Sequence, residues 1–281
     1  MKKAIFGILM CYLGLMSTCS VAQESYPVET FVTDSGKQVQ VTMIKHGSLA
    51  INVANQTILI DPVGNFYGQK VDYSSFKPTA IFITHEHGDH LDAATIDALS
   101  SKETLLFLNE TSQKQINKGK ILKNGDKTKL SKDIKVEAVP AYNTTAGREK
   151  FHPKGNGNGY VFDIDGLRLY VSGDTEDIPE LQDLKNIDIA FLSANQPYTM
   201  TTEQCVKAAK AINPKVLIPY HLGETDVKAI ADNLKATTID VKLFDSLKEK
   251  LVLTARQISV CWRQIWRPAI WNHLWNSFRT L

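Results

Sequence analysis

Short apolar runs separated by turn residues dominate the chain from residue 39 onward. Residues 39–44 and 49–53 alternate or run apolar, as half-buried and buried strands do, and His46-Gly47-Ser48 joins them. A third strand is predicted at 57–60, ended by Asp61-Pro62. Ala80-Ile81-Phe82-Ile83 reads as a fully buried strand, and residues 92–99 as a helix. Further strands are predicted at 105–108 and 134–139. Residues 160–164 and 167–171 form a hairpin about Asp165-Gly166. A strand at 187–192 precedes a helix at 202–212, which Asn213-Pro214 stops. A strand at 216–218, a helix at 226–234 and a strand at 241–244 complete the pattern. Strands and helices interleave in two halves without a detectable sequence repeat. That order predicts an α/β protein layered as an αββα sandwich. Residues 62–78 and 141–159 show no period and read as long loops, which are uncommon in compact domains unless they act as lids or binding loops.

The 281 residues suit one large domain or two small ones, and 43% hydrophobic residues suffice for a core. The net charge of +2 is unevenly placed. Lys2 and Lys3, with Arg256, Arg263, Arg267 and Arg279, lie at the two ends, leaving 26 basic against 30 acidic groups over residues 23–254. Such a body lacks the basic footprint of a nucleic-acid binder, so no nucleic-acid partner is expected. Residues 1–22 read as a secretory signal peptide: Lys2-Lys3, an apolar stretch over 4–16, and Ser20-Val21-Ala22 for cleavage. The expected location is the periplasm or outside the cell. An acylated Cys19 and an uncleaved anchor are the alternatives. Cys205 and Cys261 would remain after cleavage, too few for a disulfide framework, and Cys205 fits a buried helix position.

The densest chemistry is Thr84-His85-Glu86-His87-Gly88-Asp89-His90, directly after the buried run at 80–83. A strand end is rigid and can hold side chains in fixed geometry. Imidazole nitrogens and carboxylate oxygens are ligands for zinc and similar divalent ions. The alternative is a solvated loop that happens to hold three histidines.

The pattern H-x-H-x-D-H resembles that of the metallo-β-lactamase superfamily. Residues 38–245 follow the family's order, with His152 62 residues after His90, Asp174 22 further on, and His221 another 47 on. The resemblance implies a four-layer αββα sandwich of the metallo-β-lactamase type with a binuclear site at one edge. It implies that His85, His87 and His152 bind one metal, that Asp89, His90 and His221 bind a second, and that Asp174 bridges them. Asp89 and Asp174 would be the catalytic carboxylates. Two divalent ions, zinc first and manganese or iron(II) as alternatives, would acidify a water, so no Ser or Cys nucleophile is required.

Asp61, at its strand end, is expected to orient a ligand histidine, or else to be a turn Asp before Pro. His46 is expected either to contact substrate or merely to close its hairpin. Asn143 and Tyr220 are candidates for the pocket wall, and Lys154 for an anionic group. The glycines of 155–159 lack a P-loop's Lys-Ser/Thr and following helix, and would let the chain pass close to the metals. The implied activity is that of a metal-dependent hydrolase acting on an ester, lactone or phosphodiester of a small molecule. A β-lactamase, or a metal-binding protein with little turnover, is the alternative. The Asp89 form of the second site favours the broad hydrolase branch over lactamases that use a Cys ligand. A flavin domain, as in redox members, has no room.

The domain is expected to span 23–254, followed by a tail at 255–281 of different composition. Trp262, Trp266, Trp271 and Trp275, all four tryptophans, lie there beside Ile265, Ile270, Leu274 and Phe278, with four arginines and no acids. Trp with Arg suits a membrane interface. A helix packed on the domain and an appended or frame-shifted end are the other readings. If the interfacial reading holds, removing residues 256–281 releases the folded protein from anionic vesicles in co-sedimentation. Equal sedimentation with and without the tail contradicts it, and loss of folding on removal points to the packed helix.

Overall fold

The computed structural model describes residues 26–247. The signal peptide expected over 1–22 and the tail expected over 255–281 lie outside them.

Seven strands form the first sheet, in chain order across it: β1 (Val28–Val32), β2 (Gln38–Lys45), β3 (Ser48–Val53), β4 (Gln56–Ile60), β5 (Ala80–Phe82), β6 (Leu105–Leu108) and β7 (Lys120–Ile121). The second sheet is likewise in chain order: β8 (Lys127–Lys129), β9 (Ile134–Ala141), β10 (Gly157–Ile164), β11 (Leu167–Val171), β12 (Ile189–Ser193), β13 (Val216–Tyr220) and β14 (Asp240–Val241). In each sheet the first four strands pair antiparallel and the last three join parallel. The two halves seen in the pattern are thus copies in architecture, although no sequence repeat marks them.

Alternation decides how the layers pack. Val39, Val41 and Met43 of β2 point into a core shared with Val136, Phe162, Leu169 and Phe191 of the second sheet. Residues of opposite parity, Ile44, Ala50, Leu59 and Ile81, face the other way and pack with Ile96 of helix α1 (Ala93–Leu99). Phe82 sits where the sheets meet, its ring 4.9 Å from Phe107, 5.1 Å from Tyr160 and 5.2 Å from Phe162. Two more helices, α3 (Thr202–Ile212) and α4 (Val227–Leu234), bury Cys205, Ala208, Ala209, Ile212, Ile230 and Leu234 in the larger core. The expected αββα sandwich is the fold observed. Burial pushes the Cys205 thiol up to about 12, so it packs as an inert small hydrophobe.

Caps set the helix ends. Asp92 accepts from the backbone N–H groups of Ala94 and Thr95, Thr201 closes a capping box with Gln204, and Asp226 accepts from Lys228 and Ala229. The expected helices at 92–99 and 226–234 therefore begin one residue later, because Asp92 and Asp226 are caps.

Several elements differ from the pattern: Lys120–Ile121 and Lys127–Lys129 were not expected as strands, and the loop expected over 62–78 holds a short hairpin of Asn65–Phe66 and Gln69–Lys70. β1 was not expected, since its Val-Glu-Thr-Phe-Val alternation lies half exposed at the sheet edge. A helix at Glu110–Ile116, α2, is polar and buries only Ser112, so it carries no apolar stripe. The strand expected at 241–244 is confined to Asp240–Val241. The loop expected over 141–159 is shorter, because Ala141 ends β9 and Gly157 begins β10. A Cβ on Gly157 would lie 2.9 Å from the Ala141 carbonyl oxygen, and one on Gly159 2.8 Å from that of Ser172. These glycines serve close strand pairing, not the metal approach that was expected.

Candidate metal centre

The motif loop starts from a fixed strand end. Beyond β5 the Ile83 N–H donates to the Phe107 carbonyl at 2.9 Å. Thr84 then donates its N–H to one oxygen of Asp61 at 2.8 Å and its hydroxyl to the other at 2.7 Å. The N–H groups of His90 and Leu91 both reach the His87 carbonyl, at 2.9 and 2.8 Å. That turn folds His90 back until its ring lies 4.2 Å from the ring of His85. Glu86 points away from the histidines and accepts from Thr111 at 2.8 Å and Asn156 at 2.8 Å, which anchors the loop to its neighbours.

The second half supplies the rest. Asp174 follows β11 after Gly173, whose φ is +62°. A Cβ on Gly173 would stand 2.5 Å from the Asn158 carbonyl oxygen, so only glycine lets the chain cross there. His152 lies in the loop after β9, which looked flexible in sequence. Buried Glu176 pins that loop by accepting the N–H groups of Thr144 at 2.8 Å and Thr145 at 2.7 Å. His221 follows β13 with a φ of 51°, and its N–H donates to the His46 carbonyl at 3.1 Å.

All six histidines of the described residues converge on this edge. Three groups offer ligand atoms within 4.8 Å of one another: His85 with His87 and His152; His46 with Asp89 and His221; His85 with His90 and Asp174. The Nε2 of His152 and that of His221 lie 3.2 and 3.3 Å from Asp174 Oδ2, and His221 Nε2 is also 3.3 Å from Asp89 Oδ2. His90 Nε2 is 3.5 Å from Asp174 Oδ1. A tetrahedral ion with bonds of about 2.0–2.1 Å holds its ligand atoms roughly 3.3 Å apart, so these separations suit one.

The two nitrogens of each ring are used differently. Outward nitrogens have partners: His90 Nδ1 with Asp61 at 2.7 Å, His152 Nδ1 with the Tyr198 carbonyl at 3.2 Å, His85 Nδ1 with the Thr84 hydroxyl at 3.0 Å, and His221 Nδ1 with Asn195 at 3.4 Å. Facing inward, the Nε2 atoms of His90, His152 and His221, with Asp174 Oδ1, are buried and have no hydrogen-bond partner. A buried polar atom without a partner is costly, and cations bound between these groups satisfy all four. The donor set therefore fits divalent metal.

Electrostatics set several of these groups for metal. Burial, then repulsion from His90, holds His85 well below the usual imidazole range. Burial followed by the charge of His221 brings His46 down to about 3. Burial pushes the Asp174 carboxyl up, but His221 and His90 outweigh it and leave it well below the usual carboxylate range. Asp61 is raised by its burial. For His90, burial works against the proton, yet Asp174, Asp89 and Asp61 raise it well above the ordinary value. Neutral imidazoles and charged carboxylates are the forms that bind metal, so His85, His46 and Asp174 are held in binding form, whereas His90 gives up its proton when an ion enters.

The structure brings together His85, His87, Asp89, His90, His152, Asp174 and His221, with Asp61 bonded behind His90 and His46 beside Asp89. Tyr220 and Asn143 are buried next to the ligand-bearing segments, and Asn143 donates to the Tyr198 carbonyl at 2.6 Å. Lys154 belongs to another group: it bonds the Tyr142 hydroxyl at 3.0 Å and Glu180 at 2.9 Å, outside the histidine cluster. Sequence reasoning missed Asn195, Glu176 and the Tyr198 carbonyl. A backbone carbonyl has no residue signature, but a lone buried acid such as Glu176 after Asp174-Thr175 could have been flagged.

A model of the β-lactamase superfamily domain matches residues 40–221. The chain belongs to that superfamily, and its fold is of the metallo-β-lactamase type. It is similar to a UPF0173 metal-dependent hydrolase of Ligilactobacillus salivarius, with 30% identity over 225 residues, 74% of this chain and 100% of that protein. A crystal structure of a candidate metal-dependent hydrolase from Parabacteroides distasonis is 51% identical, covers 78% of this chain and 98% of that one, and superposes with a TM-score of 0.74. Igni18, a metallo hydrolase of Ignicoccus hospitalis, shares the fold at 23% identity, with 74% and 95% coverage and a TM-score of 0.63.

Asp61→Asn keeps the side-chain shape and tolerates the φ of 46° at that position, but removes the charge behind His90. Zinc affinity by chelator competition is expected to fall about 10–100-fold. Unchanged affinity contradicts the orienting role of Asp61.

Proposed function

We propose that the protein is a metal-dependent hydrolase that holds two divalent ions, zinc in the first place, and cleaves an ester, lactone or phosphodiester of a small molecule. The observation that carries this is the inward set of partnerless Nε2 atoms of His90, His152 and His221, each ring backed by an outward partner, together with the partnerless Asp174 Oδ1. His85, His87 and His152 hold the first ion. Asp89, His90 and His221 hold the second, and Asp174, within 3.2–3.9 Å of four histidines, is shared.

When bound, the ions supply Lewis acidity and a water acidified to near neutral pH. The chain's residues do the positioning. Asp61, the Tyr198 carbonyl and Asn195 fix ring orientation, so the facing Nε2 atoms stay aimed at one volume. Burial keeps His85 and His46 neutral. Asp89, with 19% of its side chain exposed against 3% for Asp174, marks the solvent side, together with exposed His87. Substrate enters there. Two exposed rings border the cluster at one remove: Tyr67 packs on Phe66, which touches His46, and the carbonyl of Tyr198 meets His152. They suit a substrate with an apolar portion.

Export through residues 1–22 and membrane contact through 255–281 belong to the same proposal. Both segments lie outside the described residues.

A panel of lactones, phosphodiesters, carboxylic esters and β-lactams, assayed with and without chelator, tests the reading. Turnover of at least one is expected, lost on chelation and restored by zinc or manganese. Asp174→Ala is expected to abolish it, with thermal unfolding little changed. Near wild-type turnover in that variant contradicts the site. Hydrolysis of β-lactams alone would overturn the substrate class.

A further inference from the structure

His46 is the one histidine of the cluster outside the H-x-H-x-D-H, His, Asp, His set; it is as buried as His90 and His221, although its Nδ1 has no hydrogen-bond partner. Its backbone has a φ of 51°, in the left-handed region that non-glycine residues seldom occupy. Both of its main-chain polar groups are engaged, the N–H with the Ser246 carbonyl at 3.4 Å and the carbonyl with the His221 N–H at 3.1 Å. The ring is only 1% exposed. It lies between Phe66, 4.6 Å away between centroids, and His221, 3.7 Å away. Closing a hairpin would need a residue that tolerates positive φ, such as Gly or Asn. It would need no buried imidazole. The Nε2 of His46 is 3.3 Å from Asp89 Oδ2, the same separation as between His221 Nε2 and that oxygen. His46, Asp89 and His221 together satisfy the ligand-atom spacing of a metal site. Two tetrahedral edges of about 3.3 Å thus meet at one oxygen of Asp89. The next residue, Gly47, lets this turn close against the site, since a Cβ there would lie 2.9 Å from His90 Cε1.

We infer that His46 is a further ligand of the second ion, through Nε2, so that this ion is held by His46 and His221 on either side of Asp89. The inference rests on the binuclear reading above. It makes the second site richer in imidazole than Asp89, His90 and His221 alone, and it makes the β2–β3 turn part of the metal site. A His46 that only donated its Nε2 hydrogen to Asp89 would be a positioning partner and would not touch the ion.

Cobalt(II) titration of the metal-depleted full chain separates these roles. The variants are His46→Asn, which tolerates the left-handed backbone, and His46→Gly, which keeps that backbone without a side chain. The wild-type chain is expected to take up two ions. Both variants are expected to keep the first ion at wild-type affinity and lose affinity for the second by more than about 100-fold, beyond the 10–100-fold cost of an outer partner. The visible spectrum of the second ion should change with the loss of one nitrogen ligand. Folding is followed by circular dichroism in the same samples. Two ions bound at wild-type affinity with an unchanged spectrum overturn the inference. A loss within 10–100-fold with an unchanged spectrum also overturns it, and leaves His46 as a positioning partner. Uptake of a single ion by the wild-type chain overturns the binuclear reading and this inference with it, and is distinguished by appearing before any substitution.

Discussion

Everything at the ligand edge answers one electrostatic constraint. Three carboxylates and six imidazoles are gathered at one edge, all buried except His87 and Asp89, and four of their polar atoms face inward without a hydrogen-bond partner. Leaving such atoms unsatisfied costs about 1–3 kcal/mol each, and more where charge is involved. No arrangement of neutral neighbours could serve donors and acceptors pointing into a single volume. Divalent cations do, and they also relieve repulsion between Asp89 and Asp174. The outward partners make sense only in that light, because each one turns a ring so that its other nitrogen faces the shared volume.

The fold supplies the rigidity this requires. Each sheet changes from antiparallel to parallel pairing after its fourth strand, and the ligands follow strands in both sheets. Asp61 ends β4, the motif loop follows β5, Asp174 follows β11 and His221 follows β13. Phe82, within ring contact of residues on both sheets, holds the two halves together just before the motif. The remaining candidate ligand, His152, comes from a loop and so needs separate support. Glu176 provides it from the segment just after Asp174, which couples the positions of these two ligands.

Much of this was legible in the sequence. Buried strands announce themselves as apolar runs, and the motif's histidines and aspartate sit directly beyond one. Asp61 could be assigned its orienting role because it, too, ends a strand. What escaped did so for physical reasons. β1 and α2 bury too little to leave a periodic signal. Gly157 and Gly159 read as loop although they are strand, because close strand pairing and chain reversal favour the same residue. Lys154 sat next to His152 in sequence, but its long side chain finds Tyr142 and Glu180 instead. His46 was divided between substrate contact and hairpin closure, since proximity to Asp89 and His221 is a tertiary fact.

The account stands or falls on where metal binds. Anomalous diffraction from zinc-loaded crystals is the most direct measurement. Two peaks are predicted about 3.5–4 Å apart, one among His85, His87 and His152, the other among Asp89, His90 and His221, with Asp174 reaching both. A single peak, or peaks away from these residues, would contradict it.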